Sequence, residues 1–324
     1  MILTFLAWIL LFFVYLFPQF YFSELVLSFL PHIVLFTLSV FAVQFVLLKN
    51  KKIWIYAKFS SLFILLFGVL FFLYSKEYNN FYCWLWFDYD LQSDESTGIN
   101  ILYSNILYKN YNYTGLLDWI NKYDADIVLM VEFTDEHYQN MKENLHDKYP
   151  FSARTSWSQK YFWNVVFSKY PIDNLTNNVD QWTWRYSHFQ LEQNEQNYYF
   201  YLLHTSSPVS YKFFKMRNKQ FEILVNDFDK HDLEQSENNH IMVLWDLNAS
   251  PWSFYYKKLE QAMFGFKNMT KNFTILFTWR IKSLAFITSH IDHVFIDNDS
   301  LVSNITRLKT PYSDHRWFFI ENFR

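Results

Sequence analysis

The chain is short of cysteine, glycine and net charge. Cys83 is the only cysteine in 324 residues. That excludes an intramolecular disulfide and a zinc site built from several thiolates. Glycine occurs four times, while Phe, Tyr, Asn and Lys are abundant. Such a bias is the mark of an AT-rich genome and carries no functional meaning. There is no internal repeat and no low-complexity run. The net charge is only −3, but it is spread unevenly. Lys49, Lys51, Lys52, Lys58 and Lys76 are the only basic residues before residue 78, and Glu24 and Glu77 the only acidic ones. The remainder is net negative by six. That argues against strong sequence-independent binding to nucleic acid, which depends on neutralising phosphates. A local basic patch remains compatible with it.

Long apolar runs are confined to the first quarter of the chain. They are Met1 to Phe17, Leu25 to Leu48 (interrupted by Pro31 and His32) and Ile53 to Tyr74. Each approaches the ~20 residues that span a hydrocarbon core. Three such runs so close together speak against helices buried in a soluble core, and predict a membrane domain of three transmembrane helices over residues 1–76. The first run lacks a basic leader and an Ala-x-Ala-like site, so it does not read as a cleavable signal peptide. The Lys49-Asn50-Lys51-Lys52 loop belongs on the cytoplasmic side. The Pro18–Glu24 loop and everything after Lys76 then lie outside the cytoplasm. The expected location is the inner (cytoplasmic) membrane, multi-pass, with the lipid bilayer as partner. Trp8, Tyr15, Tyr21, Trp54 and Tyr56 fall near the predicted interfaces. Residues 77–97 read as a linker carrying Asp88, Asp90, Asp94 and Glu95. A soluble domain follows over 98–324.

In that domain strands and helices alternate. Strands are predicted at Ile99–Leu107, Asp126–Val131, Val165–Ser168, Tyr186–Leu191, Tyr198–Leu203, Ile241–Trp245, Thr274–Trp279, Ile291–Ile296, Leu301–Leu308 and Trp317–Ile320. Helices are predicted at Thr114–Tyr123, from a Thr134 cap to Lys148, at Lys212–Lys230 and at Phe254–Met263. Many strands with few helices suggest an α+β fold, with two stacked, mostly antiparallel sheets flanked by helices.

The stretch from His240 to Trp252 concentrates the chemistry. Ile241–Trp245 is a continuous apolar run, as in a strand buried on both faces. Asp246 and Asn248 follow where it should end, with Leu247 turned into the core. Ser250 and Pro251 read as N-cap and first residue of a helix. The plain alternative is that Asp246 and Asn248 only cap a turn. The wider pattern weighs against it. Asn105, Glu132, His204, Asp246 and Asn248 each end, or nearly end, an apolar strand. Asp292 and His293 begin another, and Asp314 and His315 precede the last. Converging, these ends would supply carboxylate and amide oxygens for a hard divalent ion, and imidazoles for proton transfer. Singly, each has a structural reading: Glu132 as a helix-start acid, His204 as a buried histidine, Asp314-His315 as a turn.

The ordered set resembles the endonuclease/exonuclease/phosphatase superfamily, with its DNase I-like sandwich. The resemblance rests on Asn105, Glu132 after Ile-Val-Leu-Met-Val, Val166-Phe-Ser-Lys-Tyr-Pro-Ile172, Leu203-His-Thr205, Asp246-Leu-Asn248, Ile291-Asp-His-Val294 and Ser313-Asp-His315. Leu247-Asn-Ala-Ser-Pro-Trp252, the Arg217-x-x-Gln220 pair and the leading helices are most similar to the membrane-anchored bacterial branch. The resemblance implies Glu132 as principal ligand of Mg2+ or Mn2+, with Asp314 and Asn105 near it. It implies Asp246 as the residue that orients or deprotonates water, and Asn248 as its holder or the holder of the phosphate. His204 and His315 would bond the scissile phosphate, Asp292 would fix the tautomer of His315, and Arg217 would join the substrate site. The substrate would be a lipid headgroup, a nucleic acid or a small phosphodiester. No protein partner is implied.

The departures are Trp245, Asn164 and Tyr312 where the family usually has Gly, and His290 where Pro is common. The acid paired with His204 has no evident position. The expected function is a membrane-tethered, metal-dependent phosphoesterase working outside the cytoplasm. The competing class is a catalytically inactive interaction domain of the same fold, for which Trp245 and the missing glycines are the only support.

Overall fold

The computed structural model describes residues 2–36, 39, 98–155, 163–178, 186–230, 238–270, 277–309 and 311–324. The chain divides into two compact units, Met1–Asp88 and Tyr89–Arg324.

In the first unit, α1 spans Ile2–Leu16 and α2 spans Tyr21–Ser28. The segment read as a Pro18–Glu24 loop turns only as far as Phe20 before α2 begins. Pro18 discourages helix in the residue before it, and Glu24 in the first turn of α2 suits that helix's positive end. Leu6, Ile9, Phe12 and Tyr15 of α1 are exposed. Among the described residues no single helix is long and apolar enough to cross a membrane. Ile9–Leu16 and Tyr21–Ser28, bent by 119°, pass that test only as a pair. The three expected spans are therefore not shown. The third run, the Lys49–Lys52 loop, the linker 77–97 and residues 37, 38 and 40–48 of the second run lie outside the described residues.

The second unit is built on two six-stranded sheets. The first holds β1 (Ile99–Asn105), β2 (Ile127–Phe133), β3 (Phe151–Arg154), β4 (Trp163–Ser168), β13 (Asn304–Lys309) and β14 (Arg316–Phe323), in the order β13-β14-β1-β2-β4-β3. The second holds β5 (Asp173–Asn178), β6 (Tyr186–Gln193), β7 (Gln196–His204), β8 (Asn239–Asp246), β9 (Phe266–Asn268) and β12 (Asp292–Asp297), in the order β5-β6-β7-β8-β12-β9. β1 and β2 are parallel, as are β7 and β8; the other pairings are antiparallel. A hairpin of β10 (Trp279–Ile281) and β11 (Leu284–Ser289) stands apart.

Side-chain alternation along the strands builds three apolar layers. Ile101, Tyr103, Leu129, Val131, Phe200, Leu202, Met242, Leu244, Val294 and Phe318 fill the space between the sheets. On the outer face of the first sheet, Leu102, Val128 and Met130 pack on α3 (Tyr113–Tyr123) and α4 (Asp135–His146) through Leu116, Ile120, Met141 and Leu145. On the outer face of the second, Val243 and Trp245 pack on α5 (Tyr211–Lys230) and α6 (Phe254–Ala262) through Phe221, Leu224, Tyr256 and Leu259. The order is helices, sheet, sheet, helices, as expected of an α+β sandwich.

Several local expectations are corrected. α6 starts at Phe254 with Ser253 as its cap, Ser253 Oγ accepting from Tyr256 N at 3.2 Å. Ser250 and Pro251 precede it in a turn. Of Thr274–Trp279 only Trp279 is strand; residues 274–276 lie outside the described residues. The Leu301–Leu308 strand begins at Asn304. β3, β5 and β9 had no sequence signal. All three are sheet edges, and β5, Asp-Asn-Leu-Thr-Asn-Asn, is polar as edges tolerate.

Candidate active site

The residues between the sheets alternate inward along each strand, and the same parity continues to the strand ends. Asn105 is two residues beyond Tyr103, His204 two beyond Leu202, and Asp246 two beyond Leu244, while Asp292 is two before Val294. All four therefore face the inter-sheet side and form the polar end of that core. In the second sheet, His204, Asp246 and Asp292 are neighbours in one register row, since Asp246 pairs with both His204 and Asp292. The row is fixed by ladder register, so these side chains cannot shift independently.

Glu132 arrives differently. Strict alternation would send it into the helix layer with Met130. A bulge between Met130 and Phe133, with Glu132 at φ 58°, re-aims it between the sheets. Asn105 Nδ2 then donates to Glu132 Oε1 at 3.0 Å and to Asp246 Oδ2 at 2.9 Å. Tyr108 N donates to Glu132 Oε2 at 3.0 Å. Asn105 Oδ1 is committed to Leu107 N at 2.9 Å. Asn105 therefore presents N–H to the cluster and orients two carboxylates, rather than offering the oxygen expected of a metal ligand.

His204 Nε2 lies 3.5 Å from both Glu132 Oε1 and Asp246 Oδ2. His315 Nδ1 lies 3.0 Å from Asp292 Oδ2, which holds the ring with Nε2 3.8 Å from Asp246 Oδ2. Asp292 and His315 are thus brought together as a pair. Ser313 secures that loop: its hydroxyl donates to Asn105 O at 2.9 Å and accepts from His315 N at 3.1 Å. Asp314 Oδ2 accepts from Trp279 Nε1 at 3.0 Å, while its buried Oδ1 has no hydrogen-bond partner among the described residues.

Asn248 is also left-handed, at φ 48°. Its amide donates to Thr205 O at 3.1 Å and its backbone N to Asp246 Oδ1 at 3.2 Å. It thus leaves the strand rather than following Asp246 in the pleat. Arg217 is fully buried and donates from its Nη1 to Asn248 O at 2.8 Å. It braces the Asn248 loop instead of presenting an open surface to substrate.

The electrostatics are those of a site short of positive charge. Burial, then Asp292, pushes the Asp246 carboxyl up to about 8. Burial also raises Glu132, against the hydrogen bond from Asn105. Burial acts to lower His315, but Asp292 and Asp246 outweigh it and hold the imidazolium up to about 10. Glu132, His204 and Asp246 each offer a ligand atom within 4.8 Å of the others, as do Asp246, Asp292 and His315. Crowded oxygens, raised carboxyls and the orphaned Asp314 Oδ1 fit a hard divalent cation.

Two residues escaped the sequence reading. Tyr103 is fully buried beneath the cluster, and its hydroxyl has no partner among the described residues. Burial, then Asp292 and Asp246, holds its phenol well above the ordinary value, so it stays neutral. The signal was its parity with Asn105. Asn110 Nδ2 donates to Pro311 O at 2.9 Å, joining two site loops; nothing in the sequence marks it.

The departures also find their places. Trp245 is buried in the helix layer, its ring 5.1 Å from Phe295, and points away from the site. It does not narrow the site, so that support for an inactive domain falls. Asn164 bridges the sheets, its Nδ2 donating to Ser187 Oγ and Leu202 O, both at 3.0 Å. Tyr312 sits at φ 60°, the conformation for which glycine is suited.

No sequence among the curated proteins matches the chain. Its fold is similar to that of D. rerio TDP2 complexed with single strand DNA product, at 14% identity and TM-score 0.57, covering 70% of this chain and 99% of that one. It is similar to the human nocturnin catalytic domain with bound sulfate, at 18% identity and TM-score 0.54, covering 72% and 96%. It is also similar to an endonuclease/exonuclease/phosphatase from Bacteroides vulgatus, at 15% identity and TM-score 0.56, covering 70% and 99%. At these identities the likeness is one of fold. The sequence profile of the Endonuclease/Exonuclease/phosphatase family matches residues 99–315, and the chain belongs to that family of hydrolases acting on phosphate ester bonds, which are generally metal-dependent.

Proposed function

We propose that this protein is a membrane-tethered phosphoesterase that hydrolyses a phosphodiester or phosphomonoester by in-line attack of water. The observation that carries the reading is the convergence of Glu132, from a bulge in one sheet, on the His204–Asp246–Asp292 row of the other. Glu132 and Asp314 would hold a divalent ion, Mg2+ or Mn2+. When bound, the ion supplies positive charge to the phosphoryl oxygens and offsets the buried carboxylates.

The chain's own residues do the rest. Asp246, fixed by Asn105, accepts a proton from the attacking water. Asn248 holds that water or a phosphate oxygen. His315, held by Asp292, donates a hydrogen bond to the phosphate as negative charge grows there, and His204 donates another. The bond from phosphorus to the leaving oxygen breaks as the new P–O bond forms, with no covalent enzyme intermediate.

The apolar runs before residue 76 support the tether, and the Lys49–Lys52 loop supports an extracytoplasmic domain. A phosphodiester near the bilayer suits that placement. Nucleic acid stays within the substrate class, since the D. rerio relative carries a DNA product.

The test is a panel of phospholipids, nucleic acids and small phosphoesters, assayed on the full chain in detergent with Mg2+, Mn2+ or EDTA. Turnover should require the metal, and Asp246→Asn should lose at least about 100-fold in kcat. Turnover in EDTA, or full activity of Asp246→Asn, would sink the mechanism. Protease added to spheroplasts should digest the domain; protection would reverse the topology.

A further inference from the structure

Three arginines gather beside the site, two on the β13–β14 side of the first sheet and one on β10. On β14, Arg316 has the parity of Phe318, and on β13 Arg307 pairs with Phe318, so both face the inter-sheet side. Thr278–Arg280 runs alongside residues 314–316: Arg280 N donates to Asp314 O at 3.0 Å and Arg316 N to Thr278 O at 2.7 Å. Trp279, between them, bonds Asp314. One ring gathers two of the guanidiniums. The Phe277 centroid lies 5.2 Å from the Arg307 Cζ and 5.8 Å from that of Arg316. Arg307 donates from its Nη1 to Phe277 O at 2.6 Å, which anchors it.

None of the three has a carboxylate partner among the described residues. All are half-buried, and two of the like charges share one aromatic ring. Such an arrangement costs free energy unless an anion offsets it. The guanidinium fork matches phosphate oxygens in particular. Arg316 immediately follows His315 in the chain and Arg280 N bonds Asp314 O, so an anion here would lie close to the reacting phosphate. It stands in a unit that is otherwise net negative, which disfavours a long polyanion and favours a compact one.

We propose that Arg280, Arg307 and Arg316 form a second anion site, holding a phosphate group that the substrate carries in addition to the one hydrolysed. This rests on the phosphoesterase reading for its purpose, but its existence is measured separately. The full chain in detergent and EDTA is titrated with inorganic phosphate. Without metal the carboxylate cluster repels anions, so binding reports on the arginines. Arg307→Gln and Arg280→Gln should each weaken binding about tenfold, while Arg307→Lys retains part of it. Arg280 makes no side-chain hydrogen bond among the described residues, so Arg280→Gln guards against a folding defect. With metal, each Gln variant should raise KM for a small doubly phosphorylated substrate about tenfold at unchanged kcat, and leave KM for its singly phosphorylated counterpart alone.

Equal phosphate binding by wild type and variants, or none by either, would overturn the proposal and leave Arg307 and Arg316 as stacking partners of Phe277. A KM effect confined to long oligonucleotides would overturn the compact substrate in favour of a nucleic-acid strand. Phosphate binding that the variants lose, with no phosphoester turned over, would uphold the anion site and refute the phosphoesterase reading.

Discussion

The two sheets deliver their site residues by different means. The second sheet uses regular strands: His204, Asp246 and Asp292 form one register row and continue the alternation of an apolar core. The first sheet uses irregular backbone. Glu132 sits on a bulge, and Leu107 and Tyr312, in the loops that flank Asn105 and Asp314-His315, are left-handed at φ 63° and 60°. Regular register gives a row that resists displacement. Bulges and left-handed turns let the other sheet aim a carboxylate and an imidazole at that row from across the gap, at a cost in backbone strain of about 1 kcal/mol or more each.

The contrast can be broken or sharpened by substitution. The largest expected effect concerns the two faces of β8. Trp245 fills the helix layer while Asp246, next to it, faces the site, so Trp245→Ala should lower stability by about 3–5 kcal/mol, read by denaturant unfolding. The folded fraction should keep its kcat; a loss of kcat without a loss of stability would mean that Trp245 shapes the site after all.

Next comes the link between the sheets. Asp292 of the second sheet holds His315 of the first, so Asp292→Asn should lower kcat about 100-fold, roughly 2.7 kcal/mol, with KM little changed. Wild-type kcat would show that His315 is placed by its own loop alone. The smallest effect tests strain in the first sheet. Tyr312 is 70% exposed and left-handed, so Tyr312→Gly should gain up to about 1 kcal/mol of stability, seen as a higher unfolding midpoint. An unchanged or lower midpoint would mean that the tyrosine ring makes contacts that offset its backbone.

The legible part of this protein is the part that follows periodicity. β1, β2, β7, β8 and β12 show as apolar runs, and the polar residues at their ends show as interruptions of those runs. What escaped was what periodicity does not carry. Edge strands such as β5 have no apolar face to betray them. The helix cap moved from Ser250 to Ser253 because the left-handed turn at Asn248 delays the helix, and a turn of that kind leaves no apolar signature. Arg217, placed by resemblance beside substrate, proved to be a brace for the Asn248 loop. Asn105, expected to offer oxygen, offers nitrogen, because Leu107 N has already engaged its carbonyl.

By itself the sequence determined the class of residues at the site, the strands that bear most of them and the family to which the chain belongs. Those follow from local chemistry: which side chains can hold an ion or move a proton, and how a strand alternates. Only the tertiary structure decided which of them meet. Glu132 reaches Asp246 through a bulge, His315 reaches Asp292 across two sheets, and Arg307 and Arg316, on different strands, gather around Phe277. Contacts of that kind depend on register, sheet order and a few left-handed residues, and these are set by the packing of the whole domain rather than by any one segment.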